Sequence, residues 1–169
     1  MSTSKNAPAD TREAAIIADP DLPKVTITRE FDATPELVFR AHVDPEIFAQ
    51  WIGPNRYQVA IDRWQAETGG SYRYLIGEGE EQQAFFGSFH QVLPEQFKMV
   101  QTWGWDGMPD AVSLETYTFT ELPGGRTLMT TVSLVESMEA QAGMLASGME
   151  VGINEGYLKL DALLARSGT

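Results

Sequence analysis

The amino-acid sequence predicts an α+β fold: a curved antiparallel sheet of about six or seven strands wrapped around a long C-terminal helix, with two short helices after the first strand. Three observations predict it. Strand-like segments of alternating polarity follow one another with turn residues between them. No helical segment separates these strands, so their short connections indicate antiparallel neighbours. The proline-free segment from about Ser137 to Ala165 has apolar residues at helical spacing.

The chain begins with a segment that we interpret as a flexible N-terminal tail, residues 1–20, followed by a single domain, residues 21–169. The tail is polar at its start, and Ile16 and Ile17 are the side chains that could attach its end to the domain. Residues 24–31 alternate with period two, which predicts the first strand.

Two short helices are predicted directly after this strand. Thr34 is a suitable N-cap and Pro35 suits the first helical position. Asp44 and Pro45 repeat this start signal, so a second helix runs to about Trp51.

Six further strands are predicted where apolar and polar residues alternate between glycine- and proline-rich turns. They lie near residues 56–65, 71–77, 83–93, 96–105, 111–121 and 126–135.

The C-terminal helix contains Gly148, Gly152 and Gly156, spaced four apart on one predicted face. Interior glycine costs ~1 kcal/mol against alanine, so the three together cost about 3 kcal/mol of helix propensity. Either the helix approaches the sheet closely, or the missing side chains leave a void above the sheet. The sequence leaves both explanations open.

Composition excludes several classes of function. The formal net charge is −12, which repels phosphate backbones, so we expect no nucleic-acid partner. The sequence has no cysteine, which excludes thiol nucleophiles and fits a cytoplasmic location. No segment reaches the roughly 18 apolar residues of a membrane span, and no motif indicates a cofactor or a metal.

Aromatic residues recur through nearly every predicted element, often as i, i+2 pairs that share one face of a strand. Such rings fill a core or line a ligand pocket, and the methionines of the last helix would adapt to a ligand of variable shape. The candidate ligand-binding residues are Trp51, Trp64, Tyr72, Tyr74, Phe86, Trp103, Trp105, Tyr117, Met144, Met149 and Gly152.

Glu115 and His90 are the weak candidates for catalysis. Glu115 shares a strand face with Tyr117; if that face is the inner one, its carboxyl lies in an apolar cavity and could act as an acid or base. If Val112 and Leu114 mark the inner face instead, Glu115 is solvated, and this is the interpretation that we favour. The histidines lie in no metal-binding pattern.

Several motifs resemble the family of proteins related to the activator of the heat-shock-protein-90 ATPase. They are residues 27–41 at the opening, Asp44-Pro45-Glu46 with Trp51-Ile52-Gly53-Pro54, Gly69-Gly70-Ser71-Tyr72-Arg73, Gly87-Ser88-Phe89, Thr102-Trp103, and residues 148–156. The resemblance spans about Val25 to Ala165 and implies a helix-grip fold of the START type, which typically holds an apolar ligand between sheet and helix. Gln65 and Glu67 stand where the family often has an acid and an arginine, so no role is carried over for that pair.

Three hypotheses about function follow. The first is a module that binds a lipid-, sterol- or polyketide-like molecule between the sheet and the last helix. The alternatives are an enzyme of the cyclase, dehydratase or hydrolase type, and a protein-interaction module similar to the co-chaperone. A homodimer is a further expectation, because twofold pairs are the commonest oligomers.

Overall fold

The structure, a computed structural model, describes residues 13–167 and confirms the predicted fold class. Eight antiparallel strands form one sheet in the order β1-β2-β8-β7-β6-β5-β4-β3. The strands are β1 Ala15–Ala18, β2 Lys24–Phe31, β3 Val59–Trp64, β4 Ser71–Ile76, β5 Gln83–Leu93, β6 Lys98–Trp105, β7 Met108–Leu122 and β8 Arg126–Leu134. The helices are α1 Pro35–Val43, α2 Pro45–Trp51, α3 Met138–Ala146 and α4 Met149–Ser167, with short 3-10 turns at Gly79–Glu81 and Pro94–Gln96.

The strand β1 lies within the segment that the sequence suggested was a tail. It pairs with β2 in the register Ile16 to Ile27 and forms one edge of the sheet. Just before it, the backbone N–H of Ala14 donates to Oδ1 of Asn154 in α4, at 3.0 Å. The structured part of the chain therefore begins before residue 21, while residues 1–12 of the predicted tail lie outside the described residues.

The two short helices begin where the sequence predicts. The Asp44 carboxylate accepts hydrogen bonds from the backbone N–H groups of Glu46 and Ile47, at 3.0 and 3.3 Å, and so caps α2. Thr34 stands at the N-cap of α1 but makes no side-chain capping bond, so Pro35 at the first position supplies the start signal there.

The C-terminal segment is two helices and not one continuous helix. Gly148 takes the left-handed conformation, with φ of +80°, and this ends the run of α3 before α4 starts at Met149. Ser137 caps α3 by accepting a hydrogen bond from the N–H of Ala140, at 3.0 Å. Gly148 is therefore a helix terminator and does not belong to a glycine face. Within residues 13–167, no helix is long and apolar enough to cross a membrane.

The helix α4 covers one end of the concave sheet. Its Tyr157 meets Phe31 edge to face, with ring centroids 5.6 Å apart, and Leu160 is completely buried. The Arg29 guanidinium, itself 2% exposed, pairs with both carboxylate oxygens of Asp161, with Nη2 to Oδ2 at 2.7 Å. This bidentate pair joins β2 to α4 and fixes the helix across the sheet.

Candidate functional site

Polar side chains collect on the concave face of the sheet. The strand register places Gln101, Glu115 and Ser133 side by side on β6, β7 and β8, with Tyr117 and Thr131 in the next inward-facing row. Glu115 is 8% exposed, so the interpretation that its carboxylate is solvated is wrong. Val112 and Leu114 instead face outward and are 52% and 41% exposed.

A chain of hydrogen bonds holds the Glu115 carboxyl. The Tyr117 hydroxyl donates to Oε2 of Glu115 at 2.8 Å, and the Gln101 amide donates to the same oxygen at 3.1 Å. Nε2 of Gln101 also lies 3.4 Å from the Tyr72 hydroxyl, which donates to the Thr102 carbonyl at 2.7 Å. We call Tyr72, Gln101, Glu115, Tyr117 and Thr131 the interior polar cluster.

Burial changes the acidity of these groups. Desolvation raises the pKa of Glu115 above its ordinary value, while the hydrogen bonds from Tyr117 and Gln101 lower it in part. Burial also raises the pKa of Tyr72 and Tyr157, and the charge of Glu115 raises both further. The Glu115 carboxyl therefore holds its proton to a higher pH than a solvated glutamate does, and in the protonated form its hydroxyl can donate a hydrogen bond.

Some buried polar atoms of the described residues have no hydrogen-bond partner: Nε2 of His42, Nε1 of Trp105 and Oγ1 of Thr131. Such atoms cost free energy unless a further group satisfies them. Trp105 offers a donor, and Thr131, directly opposite Tyr117, offers both a donor and an acceptor.

His42 adds an acceptor beside this cluster. Its Nδ1 lies 2.8 Å from the carbonyl of Val38, which requires the proton on Nδ1 and leaves a free lone pair on Nε2. Burial lowers the pKa of His42 to about 4, so the ring is neutral at pH 7. The ring centroid lies 5.7 Å from that of Tyr117. The sequence analysis did not select His42. The available signal was its i, i+4 spacing from Val38, which allows the ring to donate to that backbone carbonyl within a helix.

The residues predicted to bind a ligand fall into three groups. Tyr72, Tyr74, Trp103, Trp105 and Tyr117 face the concave side around the interior polar cluster. Trp51 and Trp64 pack against the short helices, where their indole N–H groups donate to the carbonyls of Ala41 and Val43 at 2.9 and 2.7 Å.

The remaining predicted residues lie farther from that cluster. Phe86 points to the convex side of the sheet, opposite Arg73 in the register. Met144, Met149 and Gly152 are half-buried on α3 and α4, and His90 is exposed on β5.

The two remaining glycines of the predicted stripe differ. A Cβ at Gly152 would meet no atom within 4 Å, whereas at Gly156 it would lie 3.0 Å from the backbone carbonyl oxygen of Trp51. Close approach thus explains Gly156, and open space adjoins Gly152.

Two surface depressions lie elsewhere on the molecule, and Tyr72 is the one member of the interior polar cluster that borders either of them. One, of ≈ 340 Å³, is bordered by side chains of the convex face such as Arg73 and Phe86. The other, of ≈ 90 Å³, lies between α1, α2 and the end of α4, beside Leu37 and Leu163.

Comparison with known proteins identifies a matching family model and several similar solved structures. A family model described as Activator of Hsp90 ATPase homolog 1-like protein matches residues 32–165. The solved structure of protein Ms6760 from Mycobacterium smegmatis is 27% identical, with a TM-score of 0.78 over 89% of this chain and 95% of that chain. A protein from Arthrobacter aurescens is 25% identical, with a TM-score of 0.76 over 90% and 91%. The AHSA1 protein from Silicibacter pomeroyi is also 25% identical, with a TM-score of 0.66 over 85% and 99%. The comparison with curated proteins finds no match.

Proposed function

The chain belongs to the family of Activator of Hsp90 ATPase homolog 1-like proteins, and from its interior polar cluster we propose that it binds an apolar or aromatic small molecule between the sheet and the C-terminal helix. The observation that carries the proposal is the buried Glu115 carboxyl, held by Tyr117 and Gln101 on the concave face. Ligand sites typically combine aromatic walls with a few oriented polar groups, and this surface has both.

The polar groups define the ligand further. The Glu115 carboxyl, the Thr131 hydroxyl and the Trp105 indole N–H fit a hydroxyl or carbonyl group on the ligand. The stacked rings of Phe85 and Trp103, with centroids 5.4 Å apart, fit its apolar body.

The test compares 2-naphthol with naphthalene, which lacks the hydroxyl. We expect 2-naphthol to bind about tenfold more tightly, as one hydrogen bond to a buried polar group allows. The measurement is isothermal titration calorimetry, with the indole N–H signals of Trp103 and Trp105 followed by NMR to locate the probe. The variant Glu115→Leu should lose the preference for the hydroxyl, and Glu136→Leu, on an exposed residue, is the matched control. Binding that leaves the Trp105 indole signal unmoved would refute the proposal.

A second candidate is general acid–base catalysis by Glu115. The raised pKa of this buried carboxyl favours it, since a carboxyl that holds its proton to a higher pH than a solvated one is better suited to protonate a bound substrate. Glu115→Gln separates the two functions, because the amide retains hydrogen bonding but transfers no proton. A molecule that the wild type converts to product, and that Glu115→Gln binds without converting, would establish catalysis. If both proteins bind the molecule and neither converts it, the function is binding without catalysis.

A further inference from the structure

A groove of ≈ 340 Å³ lies on the convex face of the sheet. Register places Arg63, Arg73, Phe86 and Gly104 in one outward-facing row across β3, β4, β5 and β6. This groove lies on the opposite side of the sheet from Glu115. Tyr72 is the one residue of the interior polar cluster that borders it.

Two guanidinium groups stand at one end of the groove. Arg63 and Arg73 are directly opposite one another on neighbouring strands, and like charges in that position destabilise a sheet. Nη1 of Arg73 lies 3.0 Å from the Asp62 carboxylate, a pair that is well exposed on both sides. Among residues 13–167, no ion pair or hydrogen bond engages the Arg63 guanidinium. In a chain of net charge −12, this is a local excess of positive charge.

The other end of the groove is apolar. The Phe86 ring packs against Gly104, where an added Cβ would lie 3.2 Å from two ring carbons. The absence of a side chain at Gly104 therefore lets the ring lie close to the sheet. Val112, 52% exposed, continues this apolar surface. Ser88 and Thr102 lie beside Phe86 and Gly104, two residues along the same two strands, and the Ser88 N–H donates to the Thr102 hydroxyl at 2.9 Å.

We propose that this groove binds a small organic anion, a carboxylate carried on an aromatic or short apolar body. The carboxylate pairs with Arg63 and Arg73, whose planar groups match it in geometry, and so relieves the repulsion between them. The body lies on Phe86 and extends toward Val112. The volume of the groove is that of a small-molecule site.

The experiment titrates the full-length, ¹⁵N-labelled chain with 2-naphthoate and with the neutral analogue 2-naphthalenemethanol. We expect backbone amide shifts at Arg73, Phe86, Ser88 and Gly104, with 2-naphthoate bound about tenfold more tightly than the alcohol. Arg63→Gln should weaken 2-naphthoate binding about fivefold to tenfold, and Arg40→Gln, an exposed arginine on α1, is the matched control that leaves it unchanged. Asp62→Asn should tighten binding about twofold to threefold, because Asp62 competes for Arg73.

Several outcomes would overturn this proposal. Equal affinity for the acid and the alcohol would remove the role of the arginine pair, and so would an Arg63→Gln variant that binds 2-naphthoate normally. Shifts confined to the Trp105 indole would assign the probe to the concave interior. Groove shifts caused by vesicles of phosphatidylglycerol but not by 2-naphthoate would indicate a membrane surface instead. The Trp105 indole reports on the interior, and the backbone amides of Arg73 and Phe86 report on the groove, so failure at the groove leaves the interior proposal standing, and the reverse holds too.

Discussion

The concave face of the sheet is apolar at one end and polar at the other. At the apolar end, β7 and β8 contribute Phe119 and Met129, 4% and 0% exposed. Two to four residues along the same strands, the inward positions hold Glu115, Thr131 and Ser133, which are 8%, 4% and 1% exposed. Burial is nearly equal at the two ends, and only the polarity changes.

This difference separates stability from function within one fold. Burial of apolar side chains stabilises the folded state, whereas burial of polar groups costs free energy unless each one is hydrogen-bonded. A protein that needed only a core would place apolar residues at both ends. The polar end is therefore the part of the interior that we propose as the binding surface.

The largest expected effect comes from Met129→Ala at the apolar end. Removing this fully buried side chain should lower the free energy of unfolding by about 2–5 kcal/mol. The measurement is equilibrium unfolding in urea. The matched control is Thr131→Val, one step along the same strand face, which keeps the volume but removes the unpaired hydroxyl and should leave stability equal or higher. Equal losses in the two variants would abolish the distinction between the ends.

An intermediate effect is expected where the two ends meet, at His42. Its pKa is about 4 in the folded protein and 6.5 for an ordinary histidine. Because the folded-state pKa is depressed, the stability is complete above pH 6.5 and is lost as the pH falls toward 4. The loss is on the order of 3 kcal/mol, at 1.36 kcal/mol for each unit of pKa difference.

His42→Phe should remove this acid sensitivity, since phenylalanine fits among Trp51, Tyr117 and Phe119 without a titrating nitrogen. Urea unfolding of both proteins at pH 7 and pH 4.5 measures the difference. A variant that loses as much stability on acidification as the wild type would show that His42 is not the sensitive group.

The smallest expected effect comes from the helix α4. Gly152→Leu should maintain stability or raise it by up to ~1 kcal/mol, because the helix gains propensity and the new side chain meets open space. Gly156→Ala should instead destabilise by about 1 kcal/mol, since the contact with the Trp51 carbonyl outweighs the gain in propensity. Melting temperatures compare the two variants. If Gly152→Leu also weakens 2-naphthol binding, Gly152 borders the ligand; a clear drop in its melting temperature would mean close packing at this position.

The sequence predicts most of the architecture because its local signals agree with one another. Period-two alternation locates β2 to β8 to within a few residues, and Asp44 with Pro45 marks α2. The edge strand β1 was missed because Ala15–Ala18 is short and lies in a polar region. The break at Gly148 was missed because the apolar spacing continues across it.

The site was harder to predict than the fold, and β7 shows why. Apolar residues lie on both faces of this strand, so alternation alone does not identify the inner face. Val112 and Leu114 suggested the wrong face because the true inner face is polar at that end. The same ambiguity put Phe86 with the interior residues, although its register partner Arg73 faces the convex side. Which face of a strand points inward is decided by its neighbours in the sheet, and the sequence of a single strand does not specify those neighbours.

The pairing of β2 with β8 also sets the order of events on the ribosome. Residues 24–31 leave the ribosome well before their partner residues 126–134. At synthesis rates of about 5–20 residues per second, β2 waits roughly 5 to 20 s for the strand that completes its hydrogen bonds. The Arg29–Asp161 pair closes later still, 132 residues along the chain. The nascent chain must therefore carry β2 with one edge open until residues 126–134 have been made, and the ion pair with Asp161 follows only after β8 is in place.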